Sequence, residues 1–331
     1  SLIFILYLGI FLGSGFRTPA QSRDSITLYG TLDTVQVIRQ RIQHANEANA
    51  GARVTHISPA ILQANKTRSL AELLTDHTSI YIKSLGTGAL STASFRGTSA
   101  SQTRVNWKGI NITPPLSGTF DFSQIPVFFT DNINLYYGSS HVKNGTGAIG
   151  GSVNLFTDTD WNRGVNGRVL AEYGSYNTYT VGGQANISGN KSASKTRLYY
   201  QHSDNDYTYL NKVLPNTPFR EKRQDAAYSQ FGIMQEGYFR VSPYTRLTAV
   251  ASYQKNHRNL PQPLGVVNRS QEDQEENNFR GYAGLDFSRG IHELHVKAAW
   301  LYFCQTYDIR YDGGLFDPKG NKNRSNTAQV V

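Results

Sequence analysis

After Trp161 the chain alternates. Val169, Ala171 and Tyr173 share one face, opposite Arg168 and Glu172; Tyr179, Val181, Ala185 and Ile187 stand opposite Gln184 and Asn186. The pattern returns in Leu247, Ala249, Ala251 and Tyr253, then in Phe279, Ala283, Leu285 and Phe287, opposite Arg280 and Asp286. It returns again in Leu294, Val296, Ala298, Trp300 and Tyr302, opposite His295 and Lys297. Successive strand residues point to opposite faces, so each segment must set one side in an apolar medium and the other in a polar one. Stretches of about ten residues with this period fit the strands of a transmembrane barrel. A soluble sandwich gives the same alternation, so the period alone leaves both open.

Connection lengths favour the barrel. Short links (Gly189 to Ser194, Ser242 to Tyr244, Arg289 to Gly290) alternate with long polar ones (Asp204 to Ala226, His257 to Asn277). Barrels of this kind have short periplasmic turns and long extracellular loops. Past the N-terminus nothing approaches 18 consecutive apolar residues, so no internal membrane helix is expected. Twenty Tyr and 30 Gly in 331 residues agree with a barrel. Roughly seven strands can be read, where a plugged barrel has about 22. Ala328-Gln329-Val330-Val331 reads as loop, so the expectation is the opening part of a longer barrel.

Upstream the texture is mixed. Leu2 to Leu12 is an apolar core too short to span a membrane, and Thr18-Pro19-Ala20 offers a cleavage site before Gln21; residues 1–20 predict a secretory signal peptide. A start on Ser1 without a charged leader predicts a piece of a longer protein. Arg53 to Ser58 and Ile80 to Lys83 predict strands. Ser69-Leu70-Ala71-Glu72 is a capping-box pattern that opens a helix with Leu70, Leu73 and Leu74 on one face. Thr103 to Ile112 predicts a hairpin turning at Lys108-Gly109, and Asp131 to Tyr136 a strand. Leu85 to Ser91 and Thr113 to Gly118 predict loops.

Between this region and the alternating one lies Gly145-Thr146-Gly147-Ala148-Ile149-Gly150-Gly151, followed by the apolar run Ser152 to Phe156. Glycines this dense let the backbone turn sharply and lie against another surface. Together with Ser94-Phe95-Arg96-Gly97-Thr98 and Asp121-Phe122-Ser123-Gln124-Ile125-Pro126, this resembles the plug of the TonB-dependent outer-membrane receptors, most of all their cobalamin branch. The resemblance implies an α+β plug domain inside a transmembrane antiparallel β-barrel. It divides the chain into the signal peptide (1–20), a linker with the TonB box (21–45), the plug (46–160) and the first part of the barrel (161–331).

The resemblance also implies a function without catalysis: active import of a scarce ligand through the outer membrane of a Gram-negative bacterium. Cobalamin is the first expectation, and an iron siderophore or haem the alternative within the family. A passive pore or structural surface β-protein is the alternative from another class. Leu32, Asp33, Thr34, Val35, Gln36, Val37 and Ile38 stand where the family keeps the TonB box, a strand that pairs with the TonB protein by β-augmentation. The loops expected to rise to the plug apex and meet ligand hold Leu85, Gly86, Thr87, Gly88 and Ser91, and Pro114, Pro115 and Ser117. If they do so by close backbone approach, bulk at Gly88 should weaken binding and leave the barrel alone. The sequence departs from the family at Lys108, where an acid is usual, at Asn134 and Tyr137, where Glu and Arg are usual, and at Asn144, where a tyrosine is common. Those departures predict a weakened charged latch between plug and barrel.

Asp204, Asp206 and Asp225 fall in a predicted extracellular loop and carry the hard oxygens that calcium takes, but their spacing matches no EF-hand and the residues favour a plain solvated loop over a calcium site. The single cysteine, Cys304, excludes an intrachain disulfide. The net charge of +9 is spread along the chain without a basic-aromatic cluster, so no nucleic-acid partner is expected. No P-loop, dinucleotide fingerprint or nucleophile elbow is present, and no enzyme is expected.

Overall fold

The computed structural model describes residues 53–138, 148–213, 219–264, 270–311 and 321–331. All of them fall within one unit of the chain, Gly51–Val331. The expected signal peptide, Leu32–Ile38 and the first glycines of the cluster, Gly145 and Gly147, lie outside the described residues.

The first part is a small α+β body. In order it runs β1 (Arg53–His56), α1 (Pro59–Ala64), α2 (Leu70–His77), β2 (Tyr81–Ser84), β3 (Ser91–Ser94), β4 (Thr103–Trp107), β5 (Ile110–Asn111), β6 (Asn132–Tyr137) and β7 (Gly151–Phe156). Short 3₁₀ turns at Phe122–Gln124 and Val127–Phe129 bridge β5 and β6. The main sheet has the order β1-β6-β7-β4-β5, with β4 and β7 parallel. Helix α2 begins as the sequence predicts: Ser69 Oγ accepts from the Glu72 amide, and the Glu72 carboxylate accepts from the Ser69 amide. Leu70, Leu73 and Leu74 are fully buried. Gly151 shows why the cluster needs glycine: a Cβ there would lie 2.5 Å from the Tyr136 carbonyl and 2.7 Å from the Phe95 ring. Helix α1 escapes a periodicity search because it is six residues long; Ser58 caps it and Pro59 opens it.

The second part is one antiparallel sheet. It runs β8 (Gly164–Gly174), β9 (Thr178–Ser188), β10 (Ser192–Ser203), a side hairpin β11 (Thr208–Asn211) and β12 (Phe219–Lys222), β13 (Tyr228–Ser242), β14 (Thr245–Asn259), β15 (Ser270–Arg289), β16 (His292–Tyr311) and β17 (Asn321–Val330). The order is β17-β16-β15-β14-β13-β10-β9-β8, with the hairpin set aside. The alternation holds. Val169, Tyr173, Val181, Ile187, Leu247, Val296 and Trp300 are exposed, while Tyr199, Met234, Val250, Leu301 and Phe303 face the α+β body and are buried in one core with it. On β15 the outward apolar run from Phe279 to Phe287 covers about 27 Å of strand, or about 20 Å once tilted by about 40°, comparable to the ~25 Å apolar band of such barrels.

Two expectations change. His257 to Asn277, read as a long loop, is strand at both ends: β14 continues to Asn259 and β15 starts at Ser270. There the rungs are polar on both faces, with His257 beside Asp273 at 3.7 Å, Lys255 beside Glu275 at 3.1 Å, and Arg258 donating to Gln274. Such strands carry no apolar period. The chain end, read as loop, is β17, paired from Ile309↔Asn321 to Trp300↔Val330. Its sequence is polar from Asn321 to Thr327, and β16 supplies the ladder. The sheet thus has eight strands, one more than the pattern shows.

Candidate functional site

The links 189–191, 243–244 and 290–291 lie at one end of the sheet; the long connections from β10 to β13, β14 to β15 and β16 to β17 lie at the other, together with the three-residue link 175–177. Both apex loops of the α+β body lie at the end with the long connections. The first, between β2 and β3, is closed by Leu85 N–H donating to the Leu90 carbonyl (3.1 Å) and Ala89 N–H to that of Gly86 (3.1 Å). Its glycines take left-handed φ, +134° at Gly86 and +70° at Gly88. The second is closed by Gly118 N–H donating to the Pro114 carbonyl at 3.1 Å. Leu85, Gly86, Thr87, Pro115, Leu116 and Ser117 are exposed, whereas Pro114 is partly buried and Ser91 is buried.

Gly88 corrects one expectation. A Cβ on it would lie 2.2 Å from Cδ1 of Tyr228 on β13. Bulk there meets the sheet first, so Gly88 is a packing position against the wall. The next residue back, Thr87, accepts on its carbonyl from Asn205 Nδ2 at 3.1 Å, a second tie between loop and wall.

Two cavities flank these loops. One of about 220 Å³ lies between α2, Gly86–Gly88 and the wall residues Gln201, Tyr228 and Gln230. The other, about 210 Å³, lies under Leu116 and Ser117 and is walled by Gln274, Asn278, Gln305, Ser325 and Thr327. Its two arginines are engaged: Arg258 donates to Asp121 at 2.7 Å, and Arg280 donates to Gln254. The wall also grips the body from below the loops, with Gln230 Nε2 on the Ser123 carbonyl (2.8 Å) and Gln254 Nε2 on that of Gln124 (3.4 Å).

Nearer the short-link end lies a charged cluster that sequence reasoning misses. Asp131 sits among three cations: Lys195 at 3.0 Å, Lys66 at 3.9 Å, and the fully buried Arg197. Burial alone would raise the Asp131 carboxyl; Arg197, Lys195 and Lys66 outweigh it and hold the group below its ordinary range. Lys66 donates to the Thr130 carbonyl at 2.6 Å, and burial lowers its ammonium to about 8 against the opposing pull of Asp131. Lys108 stands 3.6 Å from the fully buried Glu236 and donates to Tyr238 Oη at 3.2 Å. The expected weak latch is therefore replaced by another one. Lys108 is itself the plug-side member, and burial lowers its ammonium despite Glu236. Tyr137 is likewise used: Arg53 stacks on its ring at 4.9 Å and Arg96 at 5.9 Å. Asn134 Oδ1 accepts from His56 Nδ1 at 2.7 Å. No sequence pattern marks the cluster, because its members come from three loops and two strands, β10 and β13.

Asp204 is hydrogen-bonded by Asn177 (3.1 Å) and His202 (3.1 Å), and Asp206 pairs with Lys222 at 2.7 Å. Asp225 takes a left-handed φ of +54°. No group of three such residues able to hold a metal forms among the described residues.

Residues 46–152 match the family described as the TonB-dependent Receptor Plug Domain. Over 126 residues, 38% of this chain, the sequence is 32% identical to the vitamin B12 transporter BtuB of Vibrio cholerae; over 135 residues it is 31% identical to that of Photobacterium profundum. The matched stretches cover 20% and 22% of those relatives, so the chain spans only about a fifth of their length. Two solved structures share the fold. The siderophore receptor PiuA from Acinetobacter baumannii overlays 80% of this chain with 38% of its own (TM-score 0.58, 18% identity). The ferric-catecholate import receptor Fiu from E. coli overlays 86% with 44% (TM-score 0.61, 13% identity).

Proposed function

We propose that residues 46–152 form the plug of a TonB-dependent outer-membrane receptor, set against strands of its barrel, and that the whole protein imports a scarce, bulky, neutral ligand of the cobalamin class. The observation that carries the ligand class is the lining of the 210 Å³ cavity under Leu116 and Ser117. Eight of its eighteen lining residues carry an amide or a hydroxyl, six are apolar or thiol, and Arg258 and Arg280 donate to Asp121 and Gln254. An anionic iron chelate would meet no excess of positive charge there, since Asp121 and Glu276 line the cavity beside its two arginines; a ligand rich in amides and hydroxyls finds donors and acceptors in kind. The sequence likeness of the plug to the B12 transporters supports the same class.

In this reading no bond is made or broken on the protein. Ligand settles on Leu85–Thr87 and Pro115–Ser117, and its arrival shifts the plug against the wall. Leu32–Ile38 then serves as the strand that the TonB protein captures, which couples two distant sites. The test is calorimetry of cyanocobalamin on the full-length protein, followed by uptake with Leu32–Ile38 deleted. Micromolar or tighter binding with uptake lost on deletion is expected. Absence of binding sinks the ligand class, and unchanged uptake sinks the energised mechanism.

A further inference from the structure

Asp121 occupies an unusual junction. It precedes the Phe122–Gln124 turn and caps it, its Oδ1 accepting from Ser123 N–H (3.1 Å) and Ser123 Oγ–H (2.7 Å), and its Oδ2 from Gln124 Nε2 (3.3 Å). That much is local turn chemistry. Two further bonds leave the turn in opposite directions. The amide of Ser91, at the neck of the first apex loop, donates to Oδ1 at 3.0 Å. Arg258 on β14 donates to Oδ2 at 2.7 Å. Both side chains of this ion pair are about nine-tenths buried, at 9% and 10% exposure. A charge-assisted bond this well shielded is among the strong ones.

The chain of contacts continues at each end. Ser91 Oγ donates to Ser84 Oγ at 3.0 Å and to the Ala89 carbonyl at 3.2 Å, which fixes both feet of the loop. Arg258 spends its remaining fork on one acceptor, Gln274 Oε1 on β15, at 3.2 Å from Nε and 3.0 Å from Nη2. Loop neck, turn and two barrel strands therefore meet on one carboxylate. Asp121 and Arg258 also line the 210 Å³ cavity, so a ligand lodged there lies against the pair.

From this we infer that Asp121 and Arg258 form a joint that sets the position of the 85–91 loop from the barrel wall, and through which occupancy of the cavity reaches plug and barrel together. Asp121 and Arg258 are positioning residues: neither needs to touch ligand for the joint to set the loop. The inference rests on the import reading for its meaning, but the joint itself can be observed without a ligand.

The experiment is hydrogen exchange by mass spectrometry on the full-length protein in detergent, following the peptide that contains Ser91. Arg258 does not touch Ser91. If the joint holds, Arg258→Met speeds exchange across 85–91 at least tenfold while Val105 and Val153 of the plug sheet keep their protection. Arg258→Lys, which keeps the charge but loses the fork, stays within about threefold of the unsubstituted protein. Asp121→Asn combined with Arg258→Met exchanges no faster than the faster single variant, because one link has been cut twice. Unchanged exchange in Arg258→Met overturns the inference. So does a uniform rise over the whole plug, which would make the pair a general staple. Cyanocobalamin is added in a separate arm: its failure to bind the unsubstituted protein counts against the import reading for that ligand, and the exchange arm still decides the joint.

Discussion

Removing the ammonium of Lys108 should loosen the plug from the wall, and by an amount the geometry sets. Lys108 Nζ lies 3.6 Å from Glu236 Oε1, with the two side chains 8% and 0% exposed. At an effective dielectric of about 20, two unit charges at that distance attract by roughly 4–5 kcal/mol. Desolvation has already consumed part of this, which is why burial lowers the Lys108 ammonium. Lys108→Met returns the lysine's own share of that cost but leaves Glu236 buried, with its nearest remaining cation, Arg197, at 3.9 Å. Breaking a buried pair from one side typically costs about 3–5 kcal/mol. With a urea slope of about 2 kcal/mol/M, the midpoint should fall by about 1.5–2.5 M. Trp107 ends β4 directly before Lys108 and reports on the plug once Trp161 and Trp300 are changed to Phe. Lys108→Glu, which places the acid usual in the family opposite Glu236, should be worse still. Adding Glu236→Lys to it should recover only part, because Arg197 would then face a cation. A fall of less than about 0.5 M for Lys108→Met would mean that the pair is screened like a surface one, and the latch would have to be sought elsewhere.

Lys66 makes the plug respond to pH. Its ammonium titrates at about 8 when folded and at 10.5 ordinarily. The unfolded chain therefore binds the extra proton between those values, and stability rises with pH across that window. The gain is on the order of 3 kcal/mol when complete. Urea midpoints at pH 7.5 and 10 should rise in the unsubstituted protein and rise markedly less in Lys66→Met; equal slopes would remove Lys66 from the account. Gly88 and Tyr228 should be coupled: Gly88→Ala destabilises, and Tyr228→Ala costs at least about 1 kcal/mol less in that background than alone. Simple additivity would show that the clash at 2.2 Å is relieved some other way.

What the sequence made legible follows from how local each signal is. The capping box at Ser69–Glu72 lies within four residues, and α2 starts there. The outward faces of β14 to β16 repeat every second residue wherever the medium is apolar, and fall silent at Lys255, His257, Asp273 and Glu275, where strand continues with polar groups on both faces. Strand β17 is polar over its first seven residues and owes its form there to β16. The charged cluster could not be read, since Lys66, Lys108, Asp131, Lys195, Arg197 and Glu236 are as much as 170 residues apart and only the fold brings them together. Lys108 could be seen as a departure, but the carboxylate that receives it, on β13, had no sequence mark. Gly88 could be identified as a loop glycine; that its open side is filled by Tyr228 was not visible.

The placement of β1 has a mechanical consequence. It is an edge strand of the plug sheet, held by four rungs to β6 and, among the described residues, to no strand on its other side, whereas β7 is held by six rungs to β6 and five to β4. Tension entering the plug along the chain at Arg53 is borne first by the rung Arg53↔Tyr137, where two guanidinium groups brace one aromatic ring. Once that rung yields, three remain before the strand is free. The sheet can shed this margin while Lys108 still grips Glu236 at the far side. A load applied from the N-terminal side thus meets a seam that opens progressively from its hem, and the wall contacts are the last stitches to feel it.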